Sequence, residues 1–245
     1  MRELLILNPN TSHSVSDLLQ THAQAIVGPE VHVRTVTARF GAPYIACEAS
    51  YAVAAHAALD IWAAAMVDRK SPPDAVLVGC FGDPGLLALR ETSLAPVTGL
   101  AEAAFIEAAQ HGRFAIVTGG ERWKPMLTRL AQTLGFGAAL AGIHTVVPTG
   151  AQLAQDPVAA QALLARACQQ AAQAFDVQAI ILGGAGLAGM AAAIQAAMPL
   201  PLIDSVGAGV RQAVRAMGQV VPHATGRFDA SWRNLSPEMT AMGLP

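Results

Sequence analysis

VLVGCFGDPGLLALR, Val76 to Arg90, is an apolar run that stops at Gly79, presents Cys80 and turns through Phe81-Gly82-Asp83-Pro84-Gly85 into a second apolar segment. A short apolar run bounded by glycines reads as a buried strand, and the longer segment after it as a helix. Asp83 and Pro84 place the helix start between them. Asp is a favoured N-cap, and proline suits the first helical position, where no N–H is needed. Cys80 then stands where a strand meets a helix N-terminus. In an open α/β sheet, ligands bind outside the carboxyl ends of the strands, and helix-terminal N–H groups favour an anion such as a thiolate. A free cysteine is often only a small buried hydrophobe; its place between two glycines at a strand end favours a reactive role, with Cys80 the one reactive thiol of consequence. Asp83 would oppose the thiolate if its carboxylate faced the sulfur instead of capping the helix.

Outward from this stretch the chain alternates strand and helix. Leu4 to Leu7 is an apolar run ended by Asn8-Pro9-Asn10-Thr11-Ser12, after which Val15, Leu18, Leu19 and His22 follow helical spacing. Val31 to Val36 alternates at period two and reads as a strand. A loop from Arg39 to Glu48 precedes a long helix from about Ser50 to Met66, Ser71-Pro-Pro-Asp leads into the central strand, and Pro96-Val-Thr-Gly closes the set. Phe114 to Val117, ending in Thr118-Gly119-Gly120, starts the pattern again. A helix from about Arg122 to Leu134, a strand at Ile143 to Val147, a helix opened by Asp156-Pro157 and running through Phe175, and strands at Ala179 to Leu182 and Leu202 to Asp204 follow. Each half reads βαβαβαβ, which implies parallel sheets with helices on both faces.

The two halves repeat most sharply at their central turns. Gly79, Gly82 and Gly85 match Gly183, Gly186 and Gly189, each pair 104 residues apart, which points to an internal duplication. If the halves face one another, the two turns meet across one cleft, and Gly184 stands opposite Cys80. The expected lobes are residues 1–96 with 205–245, and residues 97–204.

Composition excludes several functions. A formal charge of −2 and a pI near 6.4 give no reason to expect a nucleic-acid or membrane partner. The Ala-rich run from Ala52 to Val67 contains His56 and Asp60, and no apolar stretch reaches the roughly 20 residues of a spanning helix. The apolar core before Asn8 is too short for a signal peptide, which points to a cytoplasmic protein. Cys47, Cys80 and Cys168 have neither disulfide nor metal spacing. His13, His22, His32, His56, His111, His144 and His223 form no paired motif, so no metal is expected. The glycine turns lack the G-x-G-x-x-G spacing of a dinucleotide site, and no phosphate-loop lysine follows; no cofactor is expected.

Four segments together resemble the Asp/Glu/hydantoin racemase superfamily, in its hydantoin and allantoin branch: Ile6-Leu-Asn-Pro-Asn-Thr-Ser12, Gly79-Cys-Phe-Gly-Asp-Pro-Gly85, Phe114-Ala-Ile-Val-Thr118 and Leu182-Gly-Gly-Ala-Gly-Leu-Ala-Gly189. The resemblance implies an α/β fold of two similar flavodoxin-like parallel-sheet lobes related by a pseudo-two-fold. It also implies a cofactor-independent site between them, a small-molecule substrate and a homo-oligomer. Racemases of this kind use two cysteines, one taking the Cα proton from one face and the other returning it from the opposite face. Cys80 matches the first cysteine, and the second is replaced by Gly184. Asn10 matches a substrate-contacting position, Thr118 and Gly119 the facing loop, and Phe81, Gly82, Gly183, Ala185 and Gly186 of the two turns are expected to bind substrate with them.

Gly184 limits what the resemblance carries over. Cys168 lies mid-helix, and Cys47 could serve only if the loop before the second helix folds over the cleft. The expected function is proton transfer by Cys80 at the acidic Cα of a hydantoin-like or amino-acid-derived substrate, one-sided because the second thiol is missing. A single-cysteine decarboxylase or isomerase resembling arylmalonate decarboxylase, or a catalytically silent ligand-binding relative, are the alternatives.

Overall fold

The central strands of each half are apolar at consecutive positions because a parallel sheet covered on both faces buries every side chain. Leu4 to Leu7, Ala75 to Val78 and Phe114 to Val117 are all fully buried. Alternate residues serve opposite faces. Leu4, Ile6, Ala75 and Leu77 join a cluster that also contains Phe114, Ile116 and Ile181 of the other half, while Leu5, Leu7, Val76 and Val78 pack outward with Ile61 and Trp62. The computed structural model describes residues 1–67, 72–148, 152–153, 156–222 and 224–244; Ser71 and His223 lie outside them.

The first sheet contains β1 (Arg2–Asn8), β2 (Val31–Thr37), β3 (Ala75–Val78) and β4 (Val97–Gly99); the second contains β5 (Phe114–Gly119), β6 (Leu140–Val146), β7 (Ala179–Gly183) and β8 (Leu202–Asp204). Their orders are β2-β1-β3-β4 and β6-β5-β7-β8, and every pairing is parallel. Among the described residues the α-helices with defined bounds are α1 (His13–Val27), α2 (Glu48–Met66), α3 (Leu86–Thr92), α4 (Leu100–Ala109), α5 (Trp123–Thr133), α6 (Pro157–Ala174), α7 (Met190–Ile194), α8 (Ser205–Ala216) and α9 (Pro237–Ala241). Among the described residues, no helix is long and apolar enough to cross a membrane.

The halves exchange helices. The α4 helix leaves the first sheet and packs on β7 and β8, whereas α8 leaves the second and packs on β3 and β4. These two helices also pack on each other, so the inner core is shared by both sheets. A lobe boundary at Pro96 is displaced by this arrangement. Val97 to Gly99 hydrogen-bonds alongside Val76 to Val78 and belongs to the first sheet; the crossing begins at α4, a helix the sequence reading passes over.

Candidate active site

Cys80 follows β3 directly. The N–H of Asp83 donates to the Cys80 carbonyl at 3.0 Å and that of Leu86 to the Asp83 carbonyl at 3.2 Å, which closes the turn. The α3 helix starts only at Leu86, behind Gly85 at φ 82°, and has no side-chain cap. The expectation that Asp83 and Pro84 open this helix is therefore corrected. Asp83 sits at φ 53°, and its carboxylate accepts the N–H groups of Ala101 at 2.9 Å and Glu102 at 2.8 Å. It caps α4 instead. Only a glycine at position 99 leaves room for the Asp83 carboxylate, which lies against the place where a Cβ would be.

This placement changes the electrostatics of the thiol. Cys80 is 7 % exposed, and burial, followed by the neighbouring Asp83 charge, pushes its pKa above the ordinary thiol range. The expected thiolate is therefore disfavoured, because loss of hydration, with the Asp83 charge added, opposes ionisation. Asp83 is itself only 2 % exposed. Its pKa rises to about 7, since burial outweighs the two α4 amides that favour its charge.

Cys80 opens onto a cavity of about 60 Å³ between the sheets. From the first half, Asn10, Cys80 and Phe81 line it; from the second, Thr118, Gly119 and the run Gly183 to Gly186. Gly82 does not line it. Its carbonyl accepts the Tyr51 hydroxyl at 2.7 Å, and its missing Cβ makes way for the Trp123 ring.

Asn10 is oriented by its own loop. Its N–H donates to Asn8 Oδ1 at 3.3 Å and its Oδ1 accepts the Ser12 N–H at 2.9 Å, which leaves Nδ2 as the end available to a ligand. Asn8 is fixed in turn by donating to Ser16 Oγ at 2.9 Å and to the Ser12 carbonyl at 3.1 Å. Across the cavity, Phe81 lies against Gly183, where any side chain would collide with its ring. Gly184 adopts φ 148°, and its N–H donates to Ser205 Oγ at 3.1 Å. A Cβ there would lie 3.3 Å from Leu187 Cγ. The space beside Gly184 is thus less open to a substituted residue than the sequence implies, and the backbone there is one that side-chain-bearing residues rarely adopt.

Four lining residues were not foreseen: Val15, Tyr44, Ile45 and Trp123. Val15 and Trp123 begin the helices that follow the two loops already singled out, so adjacency was their signal. Tyr44 and Ile45 lie on the loop before α2, which does reach the cavity; the Tyr44 hydroxyl donates to the Gly119 carbonyl at 3.3 Å. Cys47 does not follow them. It is the N-cap of α2 and exchanges hydrogen bonds with Ser50. No Asp, Glu, Lys, Arg or His is among the described residues lining the cavity. Such a site suits an uncharged ligand, because a carboxylate or ammonium group would lose its hydration there without gaining a partner.

The Asp/Glu/Hydantoin racemase family model matches residues 4–213. A hydantoin racemase of Paenarthrobacter aurescens is 32% identical over 213 residues, covering 86% of this chain and 89% of the relative. Among solved structures, allantoin racemase from Klebsiella pneumoniae superposes with a TM-score of 0.87 at 29% identity, over 99% of each chain. A variant of arylmalonate decarboxylase shares the fold, with a TM-score of 0.67 at 17% identity over 89% of this chain and 94% of that one. The chain belongs to the Asp/Glu/hydantoin racemase family.

Proposed function

We propose that this protein is a cofactor-independent racemase or isomerase that moves the acidic Cα proton of an uncharged, hydantoin-like ring, with Cys80 as the proton carrier. The observation that carries the reading is a buried thiol opening onto a cavity with no charged side chain among its described lining residues. A free amino acid would bring two charges into it, and a malonate two carboxylates, none with a counter-charge; the same argument weighs against the decarboxylase alternative. A hydantoin carries no formal charge at neutral pH, and its Cα–H is acidified by the adjacent carbonyl.

In the reaction, the Cys80 thiolate takes the Cα proton, forming S–H, while the C–H electron pair moves into the carbonyl to give an enolate. Asn10 Nδ2 is the donor suited to the developing oxygen anion, which strengthens a hydrogen bond as charge grows. The raised thiol pKa makes the thiolate scarce but strongly basic. The S–H hydrogen trades with solvent, and with Gly184 on the opposite face the same sulfur returns a solvent-derived hydrogen to the enolate carbon. Exchange therefore outruns inversion.

The test is deuterium uptake at Cα of 5-substituted hydantoins and allantoin in D₂O. Cys80→Ala should lower the rate by about 10² to 10⁴-fold. Exchange that survives this substitution would contradict the assignment, and binding without exchange by the unmodified protein would favour a silent ligand-binding relative.

A further inference from the structure

We infer that the wall formed by Gly184, Ala185 and Gly186 is a pocket for the substituent on the reacting carbon, and that it decides which enantiomer presents its proton to Cys80. This rests on the ring-substrate reading above. The two sides of the cavity are built from matching positions with unlike content. Cys80 and Phe81 bring a thiol and a phenyl ring, and that ring crosses to lie against Gly183. At the matching places of the second turn, Gly184 and Ala185 present nothing larger than a methyl group, and Gly186 follows without a side chain. The next side chain, Leu187, is 1 % exposed and belongs to the outer core of the second sheet. The second face is therefore lined by smaller groups than the first, with Leu187 Cγ 3.3 Å from where a Gly184 Cβ would stand.

At a tetrahedral ring carbon, the hydrogen and the substituent point to opposite faces. If the hydrogen meets Cys80, the substituent enters the Gly184–Gly186 side, in the space where a second acid would stand. No charged group is among the described residues lining that space, so the substituent it fits is an alkyl or aryl group. The substrate class is then one enantiomer of a ring bearing an apolar substituent between carbonyl and N–H, and its exchange proceeds with retention because sulfur both takes and returns the proton on one face.

The experiment measures dissociation constants by calorimetry for each enantiomer of 5-methylhydantoin and 5-benzylhydantoin, with the unmodified protein, Ala185→Val and Ala185→Gly. One enantiomer should bind preferentially. The benzyl-over-methyl affinity ratio should fall at least about tenfold in Ala185→Val, the scale of discrimination that a methyl-sized change makes in an apolar pocket, and should rise in Ala185→Gly. A ratio unchanged in the variants that fold would overturn the pocket, since general structural damage weakens both ligands alike. Enantioselective binding with the expected ratio changes but without deuterium exchange would leave the pocket standing and remove the catalytic reading. No binding of either ring would remove both.

Discussion

The turn after β3 and the turn after β7 share a glycine frame and solve the same structural problem with the carboxylate placed at opposite ends. Each must join a strand end to the helix that crosses into the other half. In the first, Asp83 on the turn reaches out to the α4 amides of Ala101 and Glu102. In the second, Asp204 caps its own helix through Val206 and Gly207 and reaches back to the turn at the Gly189 N–H, 2.7 Å away; Leu187 holds the place that matches Asp83. One turn consequently carries a buried acid beside a thiol, and the other carries no ionisable group. The shared glycines therefore frame two different turns: Gly82, Asp83 and Gly85 take positive φ in the first, Gly184 and Gly189 in the second.

The sharpest way to break this comparison is to give the first turn the residue of the second. Asp83→Leu leaves two buried helix amides without acceptors, at about 1–3 kcal/mol each, and puts a branched side chain at φ 53°, which costs roughly 1–2 kcal/mol more. Urea unfolding should show a loss of at least about 3 kcal/mol. A loss under about 1 kcal/mol would mean that the Asp83 cap is not what joins this turn to α4.

The converse change adds a thiol to the receiving face. Gly184→Cys should cost about 1–3 kcal/mol of stability, because the residue must hold φ 148° or distort the turn. Leu187 need yield only a few tenths of an ångström, so the variant should gain loss of optical rotation that the unmodified protein lacks. A variant that folds, exchanges its substrate and still does not invert it would show that the second thiol cannot reach the carbanion from this backbone.

A smaller effect separates the thiols. Cys47 is half-buried, and the Ser50 side chain and backbone lower its pKa, whereas burial and Asp83 raise that of Cys80. Iodoacetamide near pH 7.5 should label Cys47 at least about tenfold faster, since the thiolate is the nucleophile. Peptide mapping that finds Cys80 first would restore the expectation drawn from the sequence. The same raised pKa fixes a pH profile. Thiolate is lost as pH falls below the Cys80 pKa, so exchange should climb about tenfold per unit through pH 8 and 9 without a plateau. It should flatten around pH 7, where Asp83 ionises and pushes the thiol further up. A plateau reached below pH 8 would contradict the burial account.

Much of this was legible in the sequence because parallel strands buried on both faces need unbroken apolar runs, and because glycines mark turns that no other residue fits. The same dipeptide shows where legibility stops. Asp156-Pro157 opens α6 by local capping, with Asp156 accepting the Ala159 N–H at 3.0 Å, while Asp83-Pro84 does not open α3. The partner of Asp83 lies 18 residues onward, on a helix whose position depends on the crossing of the halves. Nothing local distinguishes the two cases. Tyr44 and Ile45 were hidden for a related reason: they sit on an aperiodic loop, and its reach to Gly119 is set by tertiary packing. The thiol pKa was misjudged because helix position can be read from spacing, but desolvation depends on what the rest of the chain covers.

On the proposed mechanism, one face of the cavity moves the proton and the other receives the substituent. Proton NMR in D₂O, run beside polarimetry on each enantiomer of 5-benzylhydantoin, tests it most directly. One enantiomer should lose its Cα proton signal while optical rotation persists, with inversion at least about 100-fold slower than exchange. Washout at equal rates from both enantiomers, with rotation lost as fast as the proton, would contradict it.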